Sequence, residues 1–237
     1  YSYNLPSDLD RGGDGWNYLP GTLIEVEQIE KTAANTEIDV LISTGNTATE
    51  EELKSLQGDV SPSILHIATH GFFYPDPEKE RYDNMGFIND KQQVYKRSDN
   101  PLYRAGLLFA GANTSWTNTE ATQSGEDGIL TAYEATHLNL KNTELVVMSA
   151  CETGLGEIKG SEGVFGLQRA FMAAGANYII MSLWKVPDKE TSEFMTKFYE
   201  ELFAGKTIPE AFNTTRDYMK NKYRNEPYKW AAFVLVR

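Results

Sequence analysis

Short apolar runs alternate along the chain with stretches of helical periodicity. Six runs, 37–43 (EIDVLIS), 63–70 (SILHIATH), 105–111 (AGLLFAG), 144–150 (ELVVMSA), 177–183 (NYIIMSL) and 230–236 (WAAFVLV), read as strands, the last five largely apolar as expected for strands covered on both faces. Helical patterns fall between most of them. Thr22 with Glu25, Thr49 with Glu52 and Thr207 with Glu210 form T-x-x-E capping boxes, each predicting a helix start. Over 163–175, Val164, Leu167, Phe171 and Ala174 share one helical face ahead of Gly175, a natural helix stop. Asp188 stands where it could cap a helix running to Gly205. Strands interleaved with helices predict a single three-layer α/β domain around a mainly parallel sheet, with no internal repeat.

Two long polar stretches, 75–100 and 113–128, are rich in charges and turn formers and predict surface loops on either side of the third strand. The composition narrows the function. In 237 residues, 34 acidic side chains against 22 basic ones give a formal charge of −12, which repels a phosphate backbone and argues against direct nucleic-acid binding. No apolar run approaches the roughly 20 residues of a membrane-spanning helix, and no signal-peptide pattern opens the chain. Because it starts at Tyr1, it is expected to be a piece of a longer protein. A single cysteine rules out an internal disulfide or a multi-thiolate zinc site and fits a reducing, cytoplasmic setting.

Three motifs bear on chemistry. His66 and His70 in HIATH have the spacing of a helical zinc pair, but on a strand four residues span about 13 Å, which excludes a shared metal. His66 then reads as a partly buried strand residue, whereas Gly71 after His70 lets the backbone approach a ligand. The loop GLGEIKGSEG (154–163) gives G-x-G-x-x-x-G, a broken version of the dinucleotide pattern, and AGKT (204–207) lacks the first glycine of a phosphate loop. A nucleotide-binding protein is disfavoured on both counts. The third motif is the pair His70 and Cys151. Each ends an apolar run, and in a mainly parallel sheet such ends share one edge, so adjacent strands bring imidazole and thiol within reach. A nearby imidazolium favours the thiolate. Lone cysteines are also often small buried core residues, and that alternative stays open.

The stretches LPGTLIEVEQI, ILHIATHGFF, AGLLFAG, DGILTAYEATHLNL, VVMSACETGLGEIKGSEGVFGLQRAFMAAGA, IIMSLWKVPD and KWAAFVLV resemble the CHAT domains, caspase-fold cysteine peptidases related to separase. The resemblance runs from about Leu19 to the end, so it implies an N-terminal extension or linker over 1–18 and a CHAT domain over 19–237. It implies a caspase-like α/β/α sandwich with a central, mostly parallel six-stranded sheet. It also implies a His–Cys dyad of His70 and Cys151, with backbone N–H groups of Gly71 and Cys151 as the oxyanion hole.

By the same resemblance, SLWKVPDKET (182–191) lines the substrate pocket. Asp188 would receive a substrate arginine, preferred over lysine for its bidentate fit, and Trp184 would form a pocket wall. Helix capping is the alternative role for Asp188. The expected function is a cytoplasmic cysteine endopeptidase of bacterial type, free of metal and cofactor, that cleaves protein or peptide substrates after Arg or Lys. Helical-repeat regions upstream, or a partner, would regulate it. Self-cleavage within YKRSDN (95–100) is one route for such control. The rival is a caspase-fold interaction module without turnover.

Overall fold

The computed structural model describes residues 15–34, 36–74, 95–96, 98–117, 125–149 and 162–237. Cys151, the glycine-rich loop over 154–161 and most of the polar stretch 75–100 lie outside the described residues.

A four-stranded sheet forms the centre, with strand order β1 (Ile64–Ile67), β5 (Leu145–Met148), β6 (Tyr178–Ser182), β7 (Phe233–Val236). The first three strands are parallel and β7 runs antiparallel to β6. β2 (Gly71–Phe73), β3 (Ala105–Leu108) and β4 (Ile129–Thr131) make a separate antiparallel sheet. The seven helices described are α1 (Pro20–Ala33), α2 (Glu50–Ser55), α3 (Ala112–Thr117), α4 (Ala132–Ala135), α5 (Glu162–Ala173), α6 (Asp188–Phe203) and α7 (Ile208–Lys222). None of them is long and apolar enough to cross a membrane.

The apolar runs become strands because their alternate side chains find different cores. Val146 and Met148 pack into a cluster with Leu167, Ala170 and Phe171 of α5, whereas Leu145 and Val147 pack with Phe194 and Phe198 of α6 and Phe212 of α7. Burial on both faces is what a continuous hydrophobic strand requires. On α6, Thr191, Phe194, Met195, Phe198 and Tyr199 recur at helical spacing and are all buried.

Several expectations are corrected. The central sheet has four described strands rather than six. Residues 105–108 do form a strand, but it pairs antiparallel to β2 and β4 in the second sheet. Residues 37–43 join no ladder among the described residues; Ile38, Val40 and Leu41 are 44%, 44% and 68% exposed. Their apolar content records β propensity without a core to enter. Part of the supposed loop 113–128 is the helix α3, whose Trp116 is buried.

The capping boxes divide. Thr49 accepts from the Glu52 N–H at 3.1 Å, and the Thr207 N–H donates to Glu210 at 3.0 Å, as predicted. The first box is absent: α1 starts at Pro20, with Leu19 as its cap, and Glu25 turns into the core. Asp188 makes no side-chain cap, because Pro187 holds the cap position and Asp188 is the first helical residue of α6.

The second sheet depends on one missing side chain. A Cβ on Gly106 would lie 2.5 Å from Phe72 Cε1 and 2.8 Å from the Leu130 carbonyl oxygen. Gly106→Ala is expected to lower stability by about 1–3 kcal/mol through this overpacking. Urea unfolding of the variant beside the parent checks it, and no change in the midpoint would mean that Phe72 yields freely.

Candidate active site

β1 and β5 end side by side. Ile67 pairs with Met148, and the Ser149 N–H extends the ladder to the Ile67 carbonyl at 2.9 Å. The chain then turns over residues 68–70 into β2. Two bonds to β3 fix this turn: the Leu108 N–H donates to the His70 carbonyl at 2.9 Å, and the Thr69 hydroxyl donates to the Leu108 carbonyl. His70 therefore lies between the two sheets instead of closing a long strand, and Gly71 opens β2.

Because the Leu108 bond runs to the residue before Gly71, the facing pair Gly71–Leu107 is of the non-hydrogen-bonded kind. The Gly71 N–H is consequently directed away from β3. The half-buried His70 imidazole has Nε2 2.6 Å from the Asn17 carbonyl oxygen, and its ring centroid is 5.1 Å from that of Trp16.

Beneath the strand ends lies a polar cluster that the residue patterns did not reveal. The Glu25 carboxyl, on α1 and 3% exposed, meets His66 Nε2 at 2.8 Å with one oxygen and accepts from the Ser149 hydroxyl at 2.9 Å with the other. His66 Nδ1 is 2.9 Å from the Tyr199 hydroxyl on α6. Burial, and then the nearby Glu25, pushes the Tyr199 phenol far above its ordinary range, so it keeps its proton to donate. Every group is satisfied with the imidazole proton on Nε2. Both His66 nitrogens have protein partners, which leaves none for a metal shared with His70.

The three carboxyls of Glu50, Glu126 and Glu134 lie close enough together to hold a cation. Lys54 already fills that place, with Nζ at 2.6, 2.7 and 3.3 Å from them. Burial alone would lower the ammonium's pKa, but the hydrogen bonds to Glu126 and Glu50 lift it above its ordinary range.

The two expected pocket residues lie in sequence just beyond β6, the strand beside β5. Asp188 is exposed and packs over Gly21, where a Cβ would come within 2.7 Å of its carboxyl. It lines a groove of about 590 Å³ between α1 and α6, with Pro20, Ile24, Gln28 and Ser192, and no residue of β1, β5 or 68–71 lines that groove. The Trp184 indole donates to the Tyr228 carbonyl at 2.9 Å and packs against the α6–α7 core.

A family model described as the CHAT domain matches residues 6–237. Over 109 residues the chain is 32% identical to tetratricopeptide repeat protein 28 of Mus musculus, and equally to that of Homo sapiens. The matched stretch covers 46% of this chain and only 4% of either relative's length.

Glu25→Ala strands a ring nitrogen of His66 and the Ser149 hydroxyl, and is expected to cost about 2–3 kcal/mol. Glu25→Gln retains an acceptor and should cost less. Urea unfolding of both variants measures the difference; equal, near-zero effects would show that water replaces the carboxyl.

Proposed function

The chain belongs to the CHAT domain family, a caspase-like family, and from that premise we propose that it is a cysteine endopeptidase with Cys151 as nucleophile and His70 as its acid–base partner. The observation that carries the reading is the strand register. Ile67 and Met148 face each other on adjacent parallel strands, and His70 and Cys151 are each the third residue beyond. In open α/β sheets this carboxyl-end edge is where ligands bind.

The mechanism follows from the groups. The Cys151 thiolate attacks the scissile carbonyl carbon, and the carbonyl π electrons move onto oxygen. Backbone N–H groups of Gly71 and Cys151 hold that oxyanion; the Gly71 N–H is suited to this because the β3 ladder does not use it. When the C–N bond breaks, His70 gives its proton to the departing amine, and water then releases the acyl group from Cys151. The Glu25–His66–Ser149 cluster supports the turn from beneath by tying α1 to the ends of both strands.

The finer fold belongs to the same reading. Helices α1, α6 and α7 cover one sheet face and α4 and α5 the other, in keeping with a caspase-like sandwich. Asp188, exposed and without a capping bond, is assigned to a pocket for a substrate arginine, with Trp184 as its wall. The relatives' name supports a helical-repeat region upstream that recruits substrate or controls the site. A reducing, cytoplasmic setting would keep the thiol free.

The test is intact mass after exposure to an arginine-directed, thiol-reactive peptidyl ketone. One adduct is expected on the parent and none on Cys151→Ala, with labelling slowed about 100-fold or more in His70→Ala. Asp188→Ala should slow the arginine reagent at least roughly tenfold, a loss of about 1.4 kcal/mol, and leave a neutral analogue unaffected. Equal labelling of the parent and Cys151→Ala overturns the nucleophile. Indifference to Asp188 removes the arginine pocket alone.

A further inference from the structure

The residues just before α1, at 15–18, lie against His70 in the manner of a bound peptide. One side-chain amide holds the backbone of Trp16 on both sides. The Trp16 N–H donates to Asn113 Oδ1 at 2.7 Å, and its carbonyl accepts from Asn113 Nδ2 at 2.9 Å. An N–H and a C=O of one residue point the same way only when the backbone is extended, so Asn113 imitates the peptide of a neighbouring strand. Such pairing reads backbone and is indifferent to sequence.

Selectivity comes from the ring. The Trp16 indole packs on a cluster of Phe72, Leu108, Ala112, Trp116 and Ile129, meeting Trp116 edge to face at 5.6 Å between centroids. Tyr95 stacks on Trp116, with centroids 5.8 Å apart. The next residue, Asn17, is exposed, and its carbonyl takes the hydrogen bond of His70 Nε2 at 2.6 Å.

We infer that the surface beside His70 is a subsite for an extended peptide bearing an aromatic side chain, and that residues 15–18 of the chain itself occupy it. The inference rests on the reading of His70 as a peptidase residue. It adds the substrate class, a segment with an aromatic residue seated over Trp116, and a form of control. While Asn17 holds the imidazole N–H, that proton cannot pass to a leaving amine. Substrate must first displace the strap.

Displacement is measurable without turnover. A synthetic peptide of residues 13–20 (GDGWNYLP) is titrated calorimetrically into the parent and into Trp16→Ala. It is expected to bind the variant at least tenfold more tightly, since the parent's own strap competes. A peptide with alanine for tryptophan should bind the variant at least tenfold more weakly, and so should the original peptide when Asn113→Ala is added.

The His70 imidazole nitrogen resonances give a second readout. They should move in Trp16→Ala and return as peptide is added. Asn113→Ala alone, which leaves the indole in place, should move them in the same direction, and this covers a failure of Trp16→Ala to fold. Alkylation of Cys151 should be at least tenfold faster in Trp16→Ala than in the parent. Equal affinity for the two peptides, or for parent and variant, overturns the inference whatever Cys151 does. Tight, tryptophan-dependent binding with an inert Cys151 keeps the subsite and overturns the peptidase reading instead.

Discussion

A carboxyl buried beneath a sheet edge must find donors, and Glu25 finds them on the two strands that matter. Left unpaired, such a group costs several kcal/mol. Satisfied by His66 and Ser149, it constrains α1, β1 and β5 to a common arrangement, and His66 passes the constraint to α6 through Tyr199. Apolar burial alone is tolerant of small slides between layers. Directional bonds from one helix to two strand ends are not, and those on β1 lie immediately before the turn that leads to His70.

The second sheet supplies the other half of the constraint. It takes the chain directly after His70 and ties that residue's carbonyl to β3. The same short strands carry Phe72, Leu108 and Ile129 into the aromatic cluster, so the element that holds the histidine backbone also builds the surface beside its ring. The absence of a side chain at Gly106 lets Phe72 lie flat enough to belong to that cluster. Fold and site therefore share residues here.

The parts of this arrangement differ in how far the chain's pattern discloses them. β1, β5, β6 and β7 are legible because two-sided burial writes an uninterrupted apolar run. β2 and β4 are not, since three residues carry no period, and α3 hides in a polar stretch whose large buried side chain is Trp116. His70 and Cys151 stand out by position, although the exact strand end falls at Ile67 and not at the histidine. Glu25 was obscured by its own motif: T-x-x-E predicts a helix cap, and only three-dimensional packing reveals a carboxyl turned inward. Trp16 was unreadable for a different reason. A residue in a short segment ahead of the first helix has no periodic neighbours, and its partners, Asn113 and Trp116, are about a hundred positions away.

The exposed stretch 37–43 has its own consequence. Its backbone enters no ladder among the described residues, and Ile38, Val40 and Leu41 face solvent, the description of a surface primed for edge-to-edge association. Glu37 and Asp39 alternate there with Ile38 and Val40. Two copies meeting along this stretch would bring carboxylates together before the apolar groups could interlock. The alternation that imitates a strand thus serves as a gatekeeper, and it ties colloidal stability to the excess of acid that gives the chain its formal charge of −12.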